Sequence, residues 1–239
     1  MVNPKKVSEV LAFLAYHGGA KFVGNCELKK VLTNSKGGAI RLPGPKSFES
    51  CRITGVETSL GTIECDFFVN CGGIWARTIG KMSEPNVKVP ICPAEHYFLT
   101  FKRMPEIEAL TLPTVRDYDN HIYLRRIRNS FLMGAFEPKA RPWKLTSGKP
   151  KTHTPGVEGV LPGLSEEQWY HFMPFISAAT NRMPILKQAE YDMLMNTPDA
   201  FTPDGRWVIG EAPEVGNYFV CVGMNGNSLQ VGFILWLDP

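Results

Sequence analysis

The sequence predicts a mixed α/β (α+β) fold, and three stretches carry that prediction. Residues 63–80, IECDFFVNCGGIWARTIG, pass from a short apolar run through Asn70-Cys71-Gly72-Gly73 into a helix-compatible segment. This is the strand, tight turn and helix of an α/β unit. Residues 201–230, FTPDGRWVIGEAPEVGNYFVCVGMNGNSLQ, place a Pro/Gly turn before two short strands that empty into a polar, glycine-bearing loop. Between these stretches the pattern changes to short strand candidates separated by turns, as expected of an antiparallel sheet in a second domain.

Taken in order, Asn3-Pro4 reads as a helix start, with Asn3 as the cap and Pro4 in the first turn. Val7, Val10, Leu11 and Leu14 then form a helical apolar stripe that ends near Gly18-Gly19. Lys21-Phe22-Val23 and residues 27–32 read as strands, followed by a Gly/Pro/Ser-rich break over 34–50. Residues 51–58 and 61–64 form a hairpin about Ser59-Leu60 and lead to Phe67-Phe68-Val69, a run of the kind that fills a strand buried on both faces. Beyond Gly80, residues 87–101, 114–116, 122–124 and 131–133 are strand candidates. Ser165 caps a helix whose first turn carries Glu166 and Glu167 and whose buried face holds Trp169, Phe172, Met173 and Ile176, with Pro174 as a point of kinking. Residues 187–195 offer another strand, Trp207-Val208-Ile209 a short one ending at Gly210, and Tyr218–Val222 a second bounded by Gly216-Asn217 and Gly223.

At 239 residues with 44% hydrophobic and 21% charged content, the chain can bury a substantial core. A formal net charge of +3 is small for this length, and no basic stripe or aromatic-interleaved patch argues for nucleic acid. Arg141, Lys149 and Lys151 read as a solvated loop. Six cysteines are scattered without a CxxC pair, and Cys65, Cys71 and Cys221 fall within or beside apolar runs, where a reduced thiol serves as a small core residue. The five histidines, His17, His96, His121, His153 and His171, have no ligand spacing, so no metal is expected. No long apolar span argues for a membrane.

Small residues leave backbone N–H groups approachable by something flat or anionic, and ligands of open α/β sheets sit at the carboxyl ends of strands. On that basis residues 70–75 and 223–228 are the candidate ligand contacts. The same residues carry a resemblance. Val69-Asn70-Cys71-Gly72-Gly73-Ile74-Trp75-Ala76 resembles the VNCAGxWA element of the D-amino-acid-oxidase-like FAD-dependent oxidoreductases. Phe201-Thr202-Pro203-Asp204, Gly210-Glu211-Ala212-Pro213 and Gly223-Met224-Asn225 resemble that family's FTPD…GEAP…GFN element. The branch is that of the sarcosine and dimethylglycine dehydrogenases and the regulatory subunit of pyruvate dehydrogenase phosphatase. The resemblance runs in register from about residue 3 to residue 230.

The resemblance implies a partial FAD-binding-type domain over 1–85 and 190–239, with an inserted antiparallel-sheet substrate domain over 86–189. It places FAD contacts at Leu28, Asn70, Cys71, Gly72, Trp75, Gly223, Met224, Asn225, Gly226, Asn227 and Ser228, and amine-substrate contacts at Tyr123, Arg125 and Glu137. Glu95-His96 is a candidate acid–base pair, whereas Arg125, Arg126 and Arg128 also read together as a solvated strand edge. The family's GxGxxG element does not occur in this sequence, so the chain is expected to be a fragment that binds flavin poorly alone. The dehydrogenases read GFNSAG where this chain has Gly223-Met224-Asn225-Gly226-Asn227-Ser228, a departure that favours a regulatory relative. The partner is then a phosphatase catalytic subunit; for an enzyme it is a small amine substrate. Either implies the mitochondrial matrix.

Overall fold

The computed structural model describes residues 3–34, 51–108, 111–143, 166–229 and 232. The predicted break over 35–50, the Ser165 cap, Lys149, Lys151, His153 and the end of the chain from 230, Gly232 apart, lie outside the described residues. In chain order the elements are α1 (Pro4–His17), β1 (Leu28–Thr33), β2 (Ile53–Thr58), β3 (Gly61–Glu64), β4 (Phe68–Asn70), α2 (Ala76–Gly80), β5 (Cys92–Phe101), β6 (Val115–Asp117), β7 (Ile122–Ile127), β8 (Ser130–Ala135), α3 (Glu166–Arg182), β9 (Tyr191–Phe201), β10 (Val208–Glu211) and β11 (Tyr218–Val222). They divide into two units, Met1–Cys92 with Ala200–Pro239, and Pro93–Asp199.

The first unit holds two three-stranded sheets, ordered β1-β2-β3 and β10-β11-β4. α1 begins as its sequence requires: the Asn3 side chain accepts a hydrogen bond from the Lys6 N–H and Pro4 sits in the first turn. Its stripe is exposed at Val10, Leu11 and Leu14, and no residue of the helix is buried among the described residues. Lys21-Phe22-Val23 is not a strand: it has no ladder partner among the described residues, and Phe22 and Val23 stand exposed. The hairpin is present, with Thr58 opposite Gly61 and Gly55 opposite Glu64.

β4 is short and one-sided rather than buried on both faces. Among the described residues it pairs with β11, and alternation along the strand leaves Phe67 and Val69 exposed on the outer face while Asn70 is buried on the inner one. Strand alternation thus outweighs the apolar run. Likewise Trp207 precedes β10 instead of opening it.

The second unit is a five-stranded sheet, ordered β6-β7-β8-β5-β9, with antiparallel pairing of β6 to β7, β7 to β8 and β5 to β8. Alternate residues Tyr97, Leu99 and Phe101, Ile122 and Leu124, and Phe131, Met133 and Ala135 form one buried face. α3 covers it through Phe172, Ile176 and Ala179, spaced to lie along one side of a helix. Each fully buried large side chain there contributes about 1.5–3 kcal/mol. Met173 falls off that seam and is exposed, while Trp169 is partly buried and stacks on Tyr191 with ring centroids 5.8 Å apart. Lys187 belongs to a 3-10 turn (Pro184–Gln188) anchored by buried Leu186, so the predicted strand starts only at Tyr191. Residues 87–91 are not strand: the Ile91 N–H donates to the Val89 carbonyl at 2.9 Å, a tight turn, and β5 begins at Cys92.

The end of α2 has no room for a side chain. A Cβ on Gly80 would press on the Val87 carbonyl oxygen, and Val87 itself donates its N–H to the Gly80 carbonyl at 2.9 Å. Gly80→Ala should therefore lower the unfolding free energy by about 1–3 kcal/mol. Gly24→Ala, with nothing within 4 Å of the added Cβ, should stay within about 0.5 kcal/mol of the parent. Urea unfolding of the two variants checks the contrast.

Candidate functional site

The two glycine-bearing segments meet because β4 and β11 run parallel, with Tyr218 opposite Phe68 and Val220 opposite Asn70. Both strands therefore release their chains at one carboxyl edge: β4 into Cys71-Gly72-Gly73, β11 into Gly223-Met224-Asn225. Asn70 is 1% exposed and uses its whole amide internally. Its Nδ2 donates to the Ala76 carbonyl at 3.0 Å and to the Tyr218 hydroxyl at 2.9 Å, while its Oδ1 accepts the Gly72 N–H at 3.1 Å. A Cβ at Gly72 would strike Ile79 Cδ1 and meet Asn70 Oδ1 at 3.0 Å, so glycine lets the turn pass close beneath both without displacing them. Asn70 and Gly72 consequently shape the turn from inside.

Gly73 has φ +53 with open space where a Cβ would stand, and Cys71 and Trp75 are exposed. Contrary to the reading of Cys71 as a core thiol, it lies on the open side of the turn, because it follows Val69 on the uncovered face of β4. Cys65 and Cys221 are only partly buried, and all six cysteines are free thiols.

The second loop is locked to the Thr202 turn. Asn225 Oδ1 accepts the Thr202 N–H at 2.9 Å, and Asn225 Nδ2 donates to the Gly223 carbonyl at 2.7 Å. The Thr202 hydroxyl donates to the Arg206 carbonyl at 2.7 Å, and Asn227 Nδ2 donates to the Asn225 carbonyl at 2.9 Å. Gly223 at φ +74 packs its α-carbon where a Cβ would meet Thr202 Cγ2 at 2.5 Å. Gly226 and Ser228 are exposed, and Met224, Asn225 and Asn227 half-buried. Leu28 is half-buried on β1, in the other sheet of this unit. Thr202 and Tyr218 were not singled out as site residues from the sequence; the FTPD motif and the strand-start position of Tyr218 are the signals that contained them.

In the second unit, Tyr123 and Arg125 project from β7 on the face opposite the α3 core, and Arg116 pairs with Tyr123 in register. Gly134, opposite Tyr123, leaves room for its ring: a Cβ there would overlap it. The Glu137 side chain is 2% exposed. Its Oε1 accepts the Tyr97 N–H at 3.3 Å, and its Oε2 lies 3.6 Å from His96 Nδ1, an ion pair only when that imidazole is protonated. Arg125 Nε and Glu137 Oε2 are buried without a hydrogen bond among the described residues. Burial pushes the Tyr123 phenol up, reinforced by Glu137 and opposed by Arg125 and Arg116. The Arg116 guanidinium lies 4.5 Å from the Phe136 ring centroid.

Tyr123, Arg125 and Glu137 thus share one electrostatic neighbourhood. Glu95 and His96 do not form a pair: consecutive strand residues point to opposite faces, and Glu95 instead accepts the Tyr97 hydroxyl at 2.6 Å. The arginine cluster also divides. Arg126 caps the hairpin through the Arg128 and Glu108 carbonyls, leaving Arg125 alone on the Tyr123 face. Among the described residues no group of three or more His, Cys, Asp or Glu is arranged to hold a metal, and no helix is long and apolar enough to cross a membrane.

Burial, with a smaller contribution from the Glu214 carboxylate and against the Asn70 hydrogen bond, raises the Tyr218 phenol from 10.0 to about 12. The unfolded chain therefore releases this proton first. The stability it contributes is intact below pH 10 and is lost as pH rises through the folded value of about 12. An absorbance titration of phenolate should show one late-ionising tyrosine disappear in Tyr218→Phe, and urea midpoints of that variant should fall less steeply on the alkaline limb.

The sequence matches the family model of the FAD dependent oxidoreductases, DAO, over residues 1–235. It is 32% identical to the mitochondrial pyruvate dehydrogenase phosphatase regulatory subunit of Mus musculus, covering 97% of this chain and 27% of that protein. It is 29% identical to the mitochondrial sarcosine dehydrogenase of Homo sapiens, covering 97% and 22%. Among solved structures, L-proline dehydrogenase from P. horikoshii superposes with a TM-score of 0.67 at 21% identity, over 94% of this chain and 51% of that one. The chain spans about a quarter of the length of these curated relatives. On the family match and the shared fold, this chain belongs to the DAO family of FAD dependent oxidoreductases.

Proposed function

We propose that this chain forms one wall of an FAD site in a DAO-type scaffold that serves as a regulatory module, resembling the pyruvate dehydrogenase phosphatase regulatory subunit. The observation that carries the FAD reading is the parallel pairing of β4 with β11, which brings two glycine-bearing loops to one edge. The residues fit a flat, anionic group at the outer side of that edge: Gly73 leaves open space, Cys71, Trp75, Gly226 and Ser228 are exposed, and Met224, Asn225 and Asn227 are half-buried beside them. Leu28 is assigned to the adenine end. Asn70, Gly72 and Gly223 position the loops, since their own contacts are internal. Bound FAD would supply hydride-accepting chemistry; the chain's part is to orient the group and exclude water from one side. In this reading the first unit is the FAD-binding-type domain and the second the substrate-type domain.

The regulatory role draws on the similarity to the phosphatase subunit and on the Met224-Asn225-Gly226-Asn227-Ser228 order, which departs from the dehydrogenase pattern. A phosphatase catalytic subunit is then the partner, and the mitochondrial matrix the setting.

A second reading, oxidation of a secondary or tertiary amine, is favoured by the Tyr123, Arg125 and Glu137 cluster. A buried carboxylate and an arginine with unused hydrogen-bonding capacity could bind an amine and its carboxylate respectively. Gly134 and Tyr97 would position Tyr123 and Glu137.

Fluorescence titration with FAD should give weak, saturable binding, because no GxGxxG turn is present in these residues. Gly226→Val should weaken it several-fold and Gly24→Ala should not. A chain that purifies with stoichiometric flavin contradicts the weak-binding expectation; equal effects of both variants remove the loop assignment. Retention of a pyruvate dehydrogenase phosphatase catalytic subunit on the immobilised protein, with no dye reduction by sarcosine or dimethylglycine, is the regulatory result. Turnover of either amine would establish the second reading instead.

A further inference from the structure

Cys71 and Cys221 occupy neighbouring positions on the open face of the β10-β11-β4 sheet. β11 and β4 run parallel with Val220 opposite Asn70, and one step further along each chain stand Cys221 and Cys71. Register-matched residues on neighbouring strands lie about 4.8 Å apart. That is inside the Cα separation of about 4.4–6.8 Å that a disulfide spans. Both thiols are free. Their surroundings differ in a useful way: Cys71 is exposed in a turn, whereas Cys221 is partly buried in a strand. Burial, and then the proximity of Cys71, pushes the Cys221 thiol up, leaving accessible Cys71 as the first nucleophile.

We propose that Cys71 and Cys221 form a redox dithiol that a low-molecular-weight disulfide, such as oxidised glutathione, converts to an intramolecular Cys71–Cys221 disulfide. The Cys71 thiolate attacks one sulfur of the small disulfide, forming a mixed disulfide and releasing one small thiol. The Cys221 thiol gives its proton to solvent, attacks the Cys71 sulfur and expels the second small thiol. Two protein thiols are oxidised by two electrons, and the small disulfide is reduced to two thiols. The new bond ties the turn after β4 to β11 on the outer face, opposite the buried tie that Asn70 and Tyr218 already make. Dithiol closure stands apart from flavin; its effect on the cofactor wall rests on the FAD reading above.

The test is to incubate the purified chain with oxidised glutathione, block free thiols, digest, and map linked peptides by mass spectrometry. The expected result is a Cys71–Cys221 cross-link that dithiothreitol reverses, with Cys221→Ser accumulating a glutathione adduct at Cys71. A wild-type chain that keeps glutathione on Cys71 without cross-linking would overturn the proposal. So would cross-links joining either cysteine to Cys26, Cys51, Cys65 or Cys92 in place of the other. FAD titration of the cross-linked chain separates the two claims: closure with unchanged FAD binding retains the dithiol and removes only its link to the cofactor wall.

Discussion

One buried amide organises the edge on which the functional reading depends. Asn70 sits at the carboxyl end of β4, in the interior, where an unpaired amide would cost about 1–3 kcal/mol. Its hydrogen bonds reach the Tyr218 hydroxyl at the start of β11, the Ala76 carbonyl at the start of α2 and the Gly72 N–H of the turn itself. Each bond is modest in net terms, about 0.5–1.5 kcal/mol. Together they tie strand, turn, helix and neighbouring strand through one side chain. A residue of the same size without both donor and acceptor could not make that connection. The outward positions of the turn, exposed Cys71 and Trp75 and half-buried Gly73, owe their placement to the inward-facing ones.

The second loop is held by the same device, a short amide used on all sides. Asn225 bridges Thr202 and Gly223, so one side chain ties the turn before β10 to the loop after β11. Because β10 pairs antiparallel to β11, with Val208 opposite Val222, the Thr202 turn is brought to the edge from which the loop emerges. The FTPD and GMN motifs are therefore two halves of a single local structure, separated in sequence by one hairpin.

Much of this was legible in the sequence because it depends on local chemistry. Asn3-Pro4 followed by an apolar stripe reads as a helix start, the Ser59-Leu60 hairpin followed from its flanking alternation, and the strand-turn-helix at residues 68–80 followed from an apolar run ending in paired glycines. What could not be read was which faces find cover. Phe67-Phe68-Val69 looks buried on both sides, yet Phe67 and Val69 stand exposed. Lys21-Phe22-Val23 has strand-forming residues but no ladder partner among the described residues. Met173 belongs to the same apolar set as Phe172, and only the direction of the α3 seam decides between them. The candidate site divided along the same line: glycines and asparagines were identified by type, whereas the inward orientation of Asn70 and the adjacency of Cys71 to Cys221 depend on a strand pairing more than a hundred residues away in sequence. The grouping of Tyr123, Arg125 and Glu137 likewise required the β7-β8 register.

The central claim is that Asn70 and Tyr218 act as a unit across the parallel pair, and a double-mutant cycle measures that directly. Unfolding free energies of the parent, Asn70→Ala, Tyr218→Phe and the double variant should give a coupling of about 0.5 kcal/mol or more, the range found for side chains in one hydrogen-bonded network. Strict additivity of the two single effects would contradict the account.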